Sequence, residues 1–166
     1  MASPLFRRYG YLKWLFIVLL VSGCTSVKYI PRITTQKSIP DVSVIVSYKA
    51  DGIYQVNVNS KLSGTISLLW NSSAYVNTGG VAVRLIHIPD LDNFPDHAPT
   101  EQTPSSIARG VGFISYFVGE SWIDYARRGV TPRPKDSENK ARIYLAFNIK
   151  GKKVYWKGEV IFVPVK

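Results

Sequence analysis

The sequence predicts an all-β protein: an antiparallel β-sandwich of immunoglobulin-like or transthyretin-like type with one short helical insertion. From residue 41 onward, apolar and polar residues alternate with period two over most of the chain, which is the pattern of strands with one buried face. Turn residues separate these runs at short intervals. Residues 89–104 and 107–129 interrupt this alternation. About seven short strands are expected, and small domains of this composition usually pack sheet on sheet.

The first strands are predicted over 42–48 and 54–58. They form a hairpin through Asp51-Gly52, because glycine accepts the positive φ that such a turn requires. A third strand is expected over 65–70, and a further turn-linked pair ends with the strand 81–88. Val81, Val83 and Leu85 are predicted to face inward in that strand.

The chain closes with two strong strands, over 141–150 and 154–162. Alternating large apolar residues are predicted to fill their inner face. Lys152, Lys153 and Lys157 fall on the exposed side or edge, where lysines also discourage pairing between sheets of different molecules.

Residues 89–104 are predicted to form a long loop, because they contain four prolines and no apolar rhythm. The segment Asp90 to His97 concentrates oxygen ligands, as a Ca²⁺ site does, but it lacks the glycine and terminal glutamate of an EF-hand loop. An ordinary acidic surface loop is the alternative. No metal and no cofactor are predicted.

Residues 107–129 are the least typical part of the chain. Ser121-Trp-Ile-Asp124 has the form of a capping box and predicts a helix over about 121–128, with Gly129 as its stop. The aromatic residues here either cover an open end of the sheet or form an exposed patch for a partner or membrane, and packing is the favoured interpretation. Aromatic and arginine residues are enriched at interfaces, so the candidate interaction residues are Phe113, Tyr116, Phe117, Trp122, Tyr125, Arg127 and Arg128.

The chain has 166 residues and a formal net charge of +10 at pH 7. Most of the excess positive charge lies from Arg127 to the end. A basic surface suits anionic lipid headgroups, cell-wall polymers or an acidic protein partner, or it serves only to keep the domain soluble. No nucleic acid is expected, because no recognition motif is present.

The N-terminus has a basic segment, a short apolar run over 14–20, and then Val21-Ser22-Gly23-Cys24. That order is the layout of a secretory signal peptide, and the run is too short to span a bilayer. The quartet resembles the lipobox of bacterial lipoproteins. The resemblance implies cleavage between Gly23 and Cys24, and a Cys24 that carries a diacylglyceryl group and an N-acyl chain such as palmitate.

The alternating pattern predicts a β-sandwich domain at 41–166, and the proline-containing, non-periodic residues before it predict a tether. The resemblance implies a signal peptide at 1–23 and makes 24–40 a lipidated N-terminus and tether. It also implies a lipid-anchored protein of the cell envelope. Thr25 is not aspartate, so in a Gram-negative source the resemblance implies the outer membrane, with the domain facing the periplasm. Cys24 is the sole cysteine, so the mature domain has no internal disulfide.

Catalysis is not expected. The chain has two histidines, His87 and His97, and no G-x-S-x-G or H-E-x-x-H motif. Glu120 and Asp124 would share a helix face, as a glycosidase pair could, with Asp96 nearby, but such carboxylates are more often caps. His87 is expected to have a hydrogen-bond partner near the end of its strand.

The leading hypothesis is therefore a lipid-anchored, non-enzymatic interaction or structural module with an envelope protein partner. The alternative hypothesis is a module that binds a cell-wall glycan or an anionic polymer. A hydrolase is a third and less favoured hypothesis. The lipobox and small β domain are similar to accessory lipoproteins of secretion and conjugation machines, including the type VI secretion lipoprotein with its transthyretin-like fold. Beyond the lipobox and predicted strands, no motif ties the chain to that family.

Overall fold

The structure, a computed structural model, describes residues 29–50, 52–127 and 140–164. Within these ranges the chain forms ten strands and one α-helix, so the predicted all-β class is confirmed. In chain order the elements are β1 (Tyr29–Lys37), β2 (Val42–Ala50), β3 (Ile53–Ser60), β4 (Ile66–Leu68), β5 (Ala74–Val76), β6 (Ala82–Ile88), β7 (Ser105–Ile107), β8 (Phe113–Gly119), α1 (Glu120–Arg127), β9 (Lys140–Ile149) and β10 (Lys152–Pro164). Short 3₁₀ turns occur at Trp70–Ser72 and Leu91–Asn93.

The strands make one continuous sheet in the order β1-β10-β9-β5-β6-β8-β3-β2, while β4 pairs with β7 and β9. Every strand pair with a described register is antiparallel. The two end strands, β1 and β2, come within 8 Å of each other. The sheet is therefore nearly closed, like a barrel. The finer assignment to an immunoglobulin-like or transthyretin-like sandwich stays a prediction.

Strand β6 joins the two halves of this sheet. Its first residues pair with β5, and from Leu85 onward it pairs with β8. The simple alternation breaks at this point, because Leu85 and Ile86 are both buried. Leu85 belongs to the main core, and Ile86 to a second apolar cluster on the opposite face of the strand. One strand thus contributes to two cores.

The third predicted strand, over 65–70, ends early as β4, and the segment that follows it contains a buried tryptophan. β4 and β5 both pair with β9, at Phe147 and Tyr144 respectively, but the chain between them bulges away from the ladder. The Ser73 side chain supplies the hydrogen bonds that the ladder lacks at this point. Its hydroxyl accepts from the N–H of Ala146 at 3.0 Å and donates to the carbonyl of Leu69 at 2.9 Å. Buried backbone groups are costly when unpaired, so this serine permits the bulge.

The bulge places Trp70 wholly inside the core. Its indole N–H donates to the Ser105 hydroxyl at 2.9 Å, and its ring stacks on the His87 imidazole with centroids 4.4 Å apart and an interplanar angle of 7°. Phe117 adds a tilted contact at 6.2 Å. Trp70 therefore connects the β4–β5 bulge with β6, β7 and β8. A buried tryptophan of this kind contributes about 3–5 kcal/mol when compared with alanine.

Two strands differ from the sequence prediction. Residues 24–40 were expected to be a tether, but Tyr29–Lys37 forms β1 and pairs with β10. The apolar alternation in β1 is weak, because Pro31 occupies an inward position and the apolar Ile30 faces outward. Proline is tolerated in this strand because β1 lies at the end of the sheet. Strand β7 was not predicted at all, because Ser105–Ile107 has too few residues to show a period.

Val81 also differs from the prediction. It was expected to face inward at the start of a strand, but β6 begins at Ala82 and Val81 is exposed. Its N–H instead donates to the side chain of Asn77, which organises the turn before β6. Local turn chemistry has overridden the apolar pattern at this position.

Replacing Ser73 by alanine should destabilise the domain by about 1–3 kcal/mol, because it leaves the buried N–H of Ala146 without its acceptor. Ser43→Ala is the matched control, since Ser43 lies on the exposed face of β2; it should change stability by no more than about 0.5 kcal/mol. The free energy of unfolding in urea measures both. Equal effects for the two variants would mean that Ser73 does not support the bulge.

Candidate functional site

The predicted interaction residues lie at different depths. Phe117 is fully buried in the main core, and Phe113 packs partly against it. Tyr116 and Trp122 are half-buried on the opposite side, in the second apolar cluster. The backbones of Tyr125 and Arg127 lie in α1, and Arg128 lies outside the described residues. Phe117 therefore contributes to the core, and its ring is not available as surface.

Helix α1 covers the outer face of β6 and β8. It begins at Glu120 and ends at Arg127, within one residue of the prediction. Ile123 is buried against Ile86, Ile88 and Val118, while Phe94 from the long loop packs on the same group. The apolar residues of the described part of this insertion are thus used mainly for packing.

Trp122 packs on the β2–β3 turn. Its indole lies directly over Gly52, so a Cβ added at that glycine would overlap the ring. Gly52 also has a φ of +78°. Both the turn conformation and the close approach of the ring require glycine at this position.

An ion pair fixes the start of α1. Arg84 of β6 donates from Nη2 to the Glu120 carboxylate at 2.7 Å and from Nη1 to the carbonyl of Thr100 at 2.9 Å. Hydrogen bonding to Arg84 lowers the pKa of Glu120 and raises the pKa of Arg84. Both side chains are about one third exposed, so solvent weakens the pair and its contribution to stability is at most about 1 kcal/mol. Its main effect is to join helix, strand and loop.

His87 lies beside Trp70 on the inner side of β6. Its Nε2 is 2.6 Å from the Ser115 hydroxyl, so the predicted hydrogen-bond partner is confirmed. Burial lowers the pKa of His87, and the imidazole is therefore neutral near pH 7. Ser115 is itself buried. The pair satisfies two polar groups at the edge of the core.

Gln102 completes the open edge of β6. Its side-chain oxygen accepts from the N–H of His87 at 2.6 Å, and its nitrogen donates to the carbonyl of Leu85 at 2.8 Å. The side-chain amide of Gln102 thus makes the two hydrogen bonds that a neighbouring strand would make with β6. Sequence inspection missed this residue, because a single glutamine in a loop has no pattern that signals such a role.

The long acidic loop is irregular, as expected. Asp90 accepts from the N–H of Asp92 at 3.0 Å, and this bond caps the 3₁₀ turn at Leu91–Asn93. Across the described ranges, no group of three or more His, Cys, Asp or Glu side chains is placed to hold a metal ion.

The outward positions of β1, β9 and β10 form a surface that we call the basic face. Inward residues such as Ile33, Leu145 and Trp156 pack in the core, so the residues between them point outward. At those outward positions lie five cations and a single anion, which are Arg32, Lys140, Arg142, Lys153, Lys157 and Glu159. Glu159 lies 3.6 Å from the amine of Lys140. The face is strongly positive.

The outward positions of β2 from Ser43 to Ser47, of β3 from Gln55 to Asn59 and of the start of β8 form what we call the uncharged face; Lys49, farther along β2, is exposed and lies beyond it. Ile45 and Ile114 are 62% and 57% exposed, and Asn57 pairs with both of them across β3. The remaining outward residues of this face are polar but uncharged: Ser43, Ser47, Gln55, Asn59 and Tyr116. The two open faces of the sheet therefore differ sharply in charge.

These features define a small all-β domain with one packed helix and two open sheet faces. Among the described residues, no helix has the length and hydropathy needed to cross a bilayer. No protein-family model matches the chain, and no curated protein matches it. Any function must therefore be inferred from the residues and surfaces themselves.

The contact between Trp122 and Gly52 can be isolated by comparing two glycines of nearly equal φ. Gly52→Ala and Gly80→Ala both place alanine at a φ near +79°, which costs about 1–2 kcal/mol. Only Gly52→Ala also meets the indole ring, so it should destabilise the domain by about 1–3 kcal/mol more than Gly80→Ala. Urea unfolding measures the difference. Equal losses would contradict packing of Trp122 on this turn.

The stability of the domain should fall as the pH is lowered through 6.5, the ordinary pKa of histidine. Burial lowers the pKa of His87 in the folded state, so the unfolded chain binds the proton first, and the folded state loses stability as the pH falls. Urea unfolding between about pH 7.5 and pH 5.5 tests this while carboxylates stay largely ionised. His87→Gln should remove the decrease, and His97→Gln, at an exposed position, should keep it. A decrease that survives in His87→Gln would assign it to another group.

Proposed function

We propose that the protein is a lipid-anchored lipoprotein of the cell envelope whose β domain is a non-enzymatic interaction module. The anchor is inferred from Val21-Ser22-Gly23-Cys24, which has the order and spacing of a lipobox. Cys24 would carry the lipid, and Gly23 would be the last residue removed. In a Gram-negative cell, the outer membrane is the proposed location.

The observation that carries the interaction role is the unequal charge of the two open sheet faces. Arg142, Lys153 and Lys157 lie on one face, and no charged residue lies among the outward positions Ser43–Ser47, Gln55–Asn59 and Ile114–Tyr116 of the other. A solubilising charge distribution would mix both signs over the whole surface. A one-sided positive field instead orients the domain toward an anionic surface or partner.

A non-enzymatic role is supported by the environment of the candidate acid. A general acid on a glycosidase needs a raised pKa, whereas the guanidinium of Arg84 lowers the pKa of Glu120. Ser115 and His87 form a nucleophile-like pair, but Ser115 is 4% exposed and its hydroxyl lies in the core. These contacts favour structural roles for the three side chains.

Lipidation is tested by the intact mass and cell fractionation of the protein made in its source cell. The wild-type chain should begin at Cys24 with acyl chains attached and should fractionate with membranes. Cys24→Ala should leave an unprocessed or mislocalised protein with an unchanged free energy of unfolding, because Cys24 lies before Tyr29, where the described β domain begins. Ser26→Ala, a small change beyond the lipobox, is the control and should be processed normally. A wild-type mass without acyl chains would refute the proposal.

A further inference from the structure

The basic face is broad and built on rigid strands. Arg32, Lys157 and Arg142 lie on three neighbouring strands, β1, β10 and β9, which are about 4.8 Å apart. Lys153 extends the charge toward the β9–β10 turn, where it donates to the Ser72 hydroxyl at 3.0 Å. The positive charge is therefore spread across a sheet surface.

Tyrosines lie among these cations. The amine of Lys157 is 5.7 Å from the ring centroid of Tyr144, and Tyr155 is exposed beside it on β10. Tyrosine combines an apolar ring with a polar hydroxyl and is enriched where proteins meet the membrane–water interface. Lysine and arginine side chains can lie along such a boundary with their charges in the headgroup region.

Covalent geometry limits the distance between the proposed anchor and the start of β1. Five peptide units join Cys24 to Tyr29, and a fully extended chain covers at most about 3.6 Å per residue, or about 18 Å in total. β1 begins at Tyr29, and its outward residues Ile30 and Arg32 are exposed. Ile30, an exposed apolar residue, is the first outward residue of β1 after the anchor.

We propose that the basic face lies flat against a surface of anionic phospholipid once the lipid on Cys24 is inserted. The inference rests on the proposed lipoprotein function and specifies the orientation of the domain. Each Lys or Arg near an anionic leaflet favours docking by about fivefold. Two open cavities of the described domain, of about 560 and 320 Å³, are lined mainly by residues of β1 and β2, with Ile30 among them, and by none of the cations of the basic face. A flat partner therefore fits this face better than a chain that needs a groove.

The orientation can be measured with a single label on the lipidated protein. Cys24 is the sole native cysteine and is blocked when lipidated, so an added cysteine is unique. Asn148→Cys places a fluorophore on the basic face near the β9–β10 turn, and Ile45→Cys places it on the uncharged face. Both positions are exposed. In vesicles of anionic phospholipid with a headgroup quencher, the label at 148 should be quenched and the label at 45 should not.

Charge variants test the cause of docking. Lys153→Gln with Lys157→Gln should lower the ratio of docked to undocked protein about 25-fold. Lys49→Gln with Lys61→Gln, which removes two exposed lysines outside the basic face, should leave it unchanged. Neutral vesicles should abolish the difference between the labels, and so should about 1 M salt, which shortens the screening length to about 3 Å.

Several outcomes would overturn the orientation. Equal quenching at 148 and 45 would show that the domain does not dock through this face, and quenching that persists in neutral vesicles would show that charge is not the cause. Protection of position 148 by an anionic cell-wall polymer or an envelope protein, without quenching by vesicles, would assign the face to that partner instead. A purified protein whose mass lacks acyl chains would refute the lipoprotein function, and the mass distinguishes that failure from an incorrect orientation.

Discussion

The burial of Trp70 is the constraint on which the rest of the described fold depends. Between β4 and β5 the chain leaves the pairing with β9 and forms a 3₁₀ turn at Trp70–Ser72. The bulge moves the backbone away from β9, and the Ser73 hydroxyl restores the hydrogen bonding of Ala146. The indole then has Ser105, His87 and Phe117 as neighbours. The Ser73 hydroxyl thus keeps the buried N–H of Ala146 hydrogen-bonded where the ladder is broken.

The second apolar cluster follows from the way β6 is shared. β6 pairs first with β5 and then with β8. The outer side of the strand at this junction is apolar, so other parts of the chain must cover it. Ile123 of α1 and Phe94 of the long loop cover it, and Arg84 ties both segments to the strand through Glu120 and Thr100. The helical insertion and the acidic loop therefore form one structural unit. This gives the least regular parts of the sequence a packing role.

Strands with clear alternation could be predicted from the sequence, and so could the helix, although it begins at Glu120 and Ser121 therefore lies inside its first turn and not at the predicted N-cap. Strand β1 was not found because Pro31 and Ile30 obscure its period. The roles of Ser73 and Gln102 depend on contacts with residues far along the chain, which local patterns do not reveal. For the site, the lysine-rich final strands indicated a positive surface, but its extension to Arg32 requires knowing that β1 pairs with β10. The aromatic residues of the insertion gave a weaker signal, because the same residue types serve cores and interfaces alike.

Gln102 protects an open strand edge from pairing with other polypeptides. An open strand edge presents backbone groups that can pair with another polypeptide, and such edges initiate strand exchange and aggregation. The edge of β6 at Leu85 and His87 would be one of them, but the amide of Gln102 already holds its carbonyl and its N–H. A side chain that resembles a short piece of backbone thus closes the edge without adding a strand. The junction between the two halves of the sheet is in this way protected from pairing with neighbouring copies.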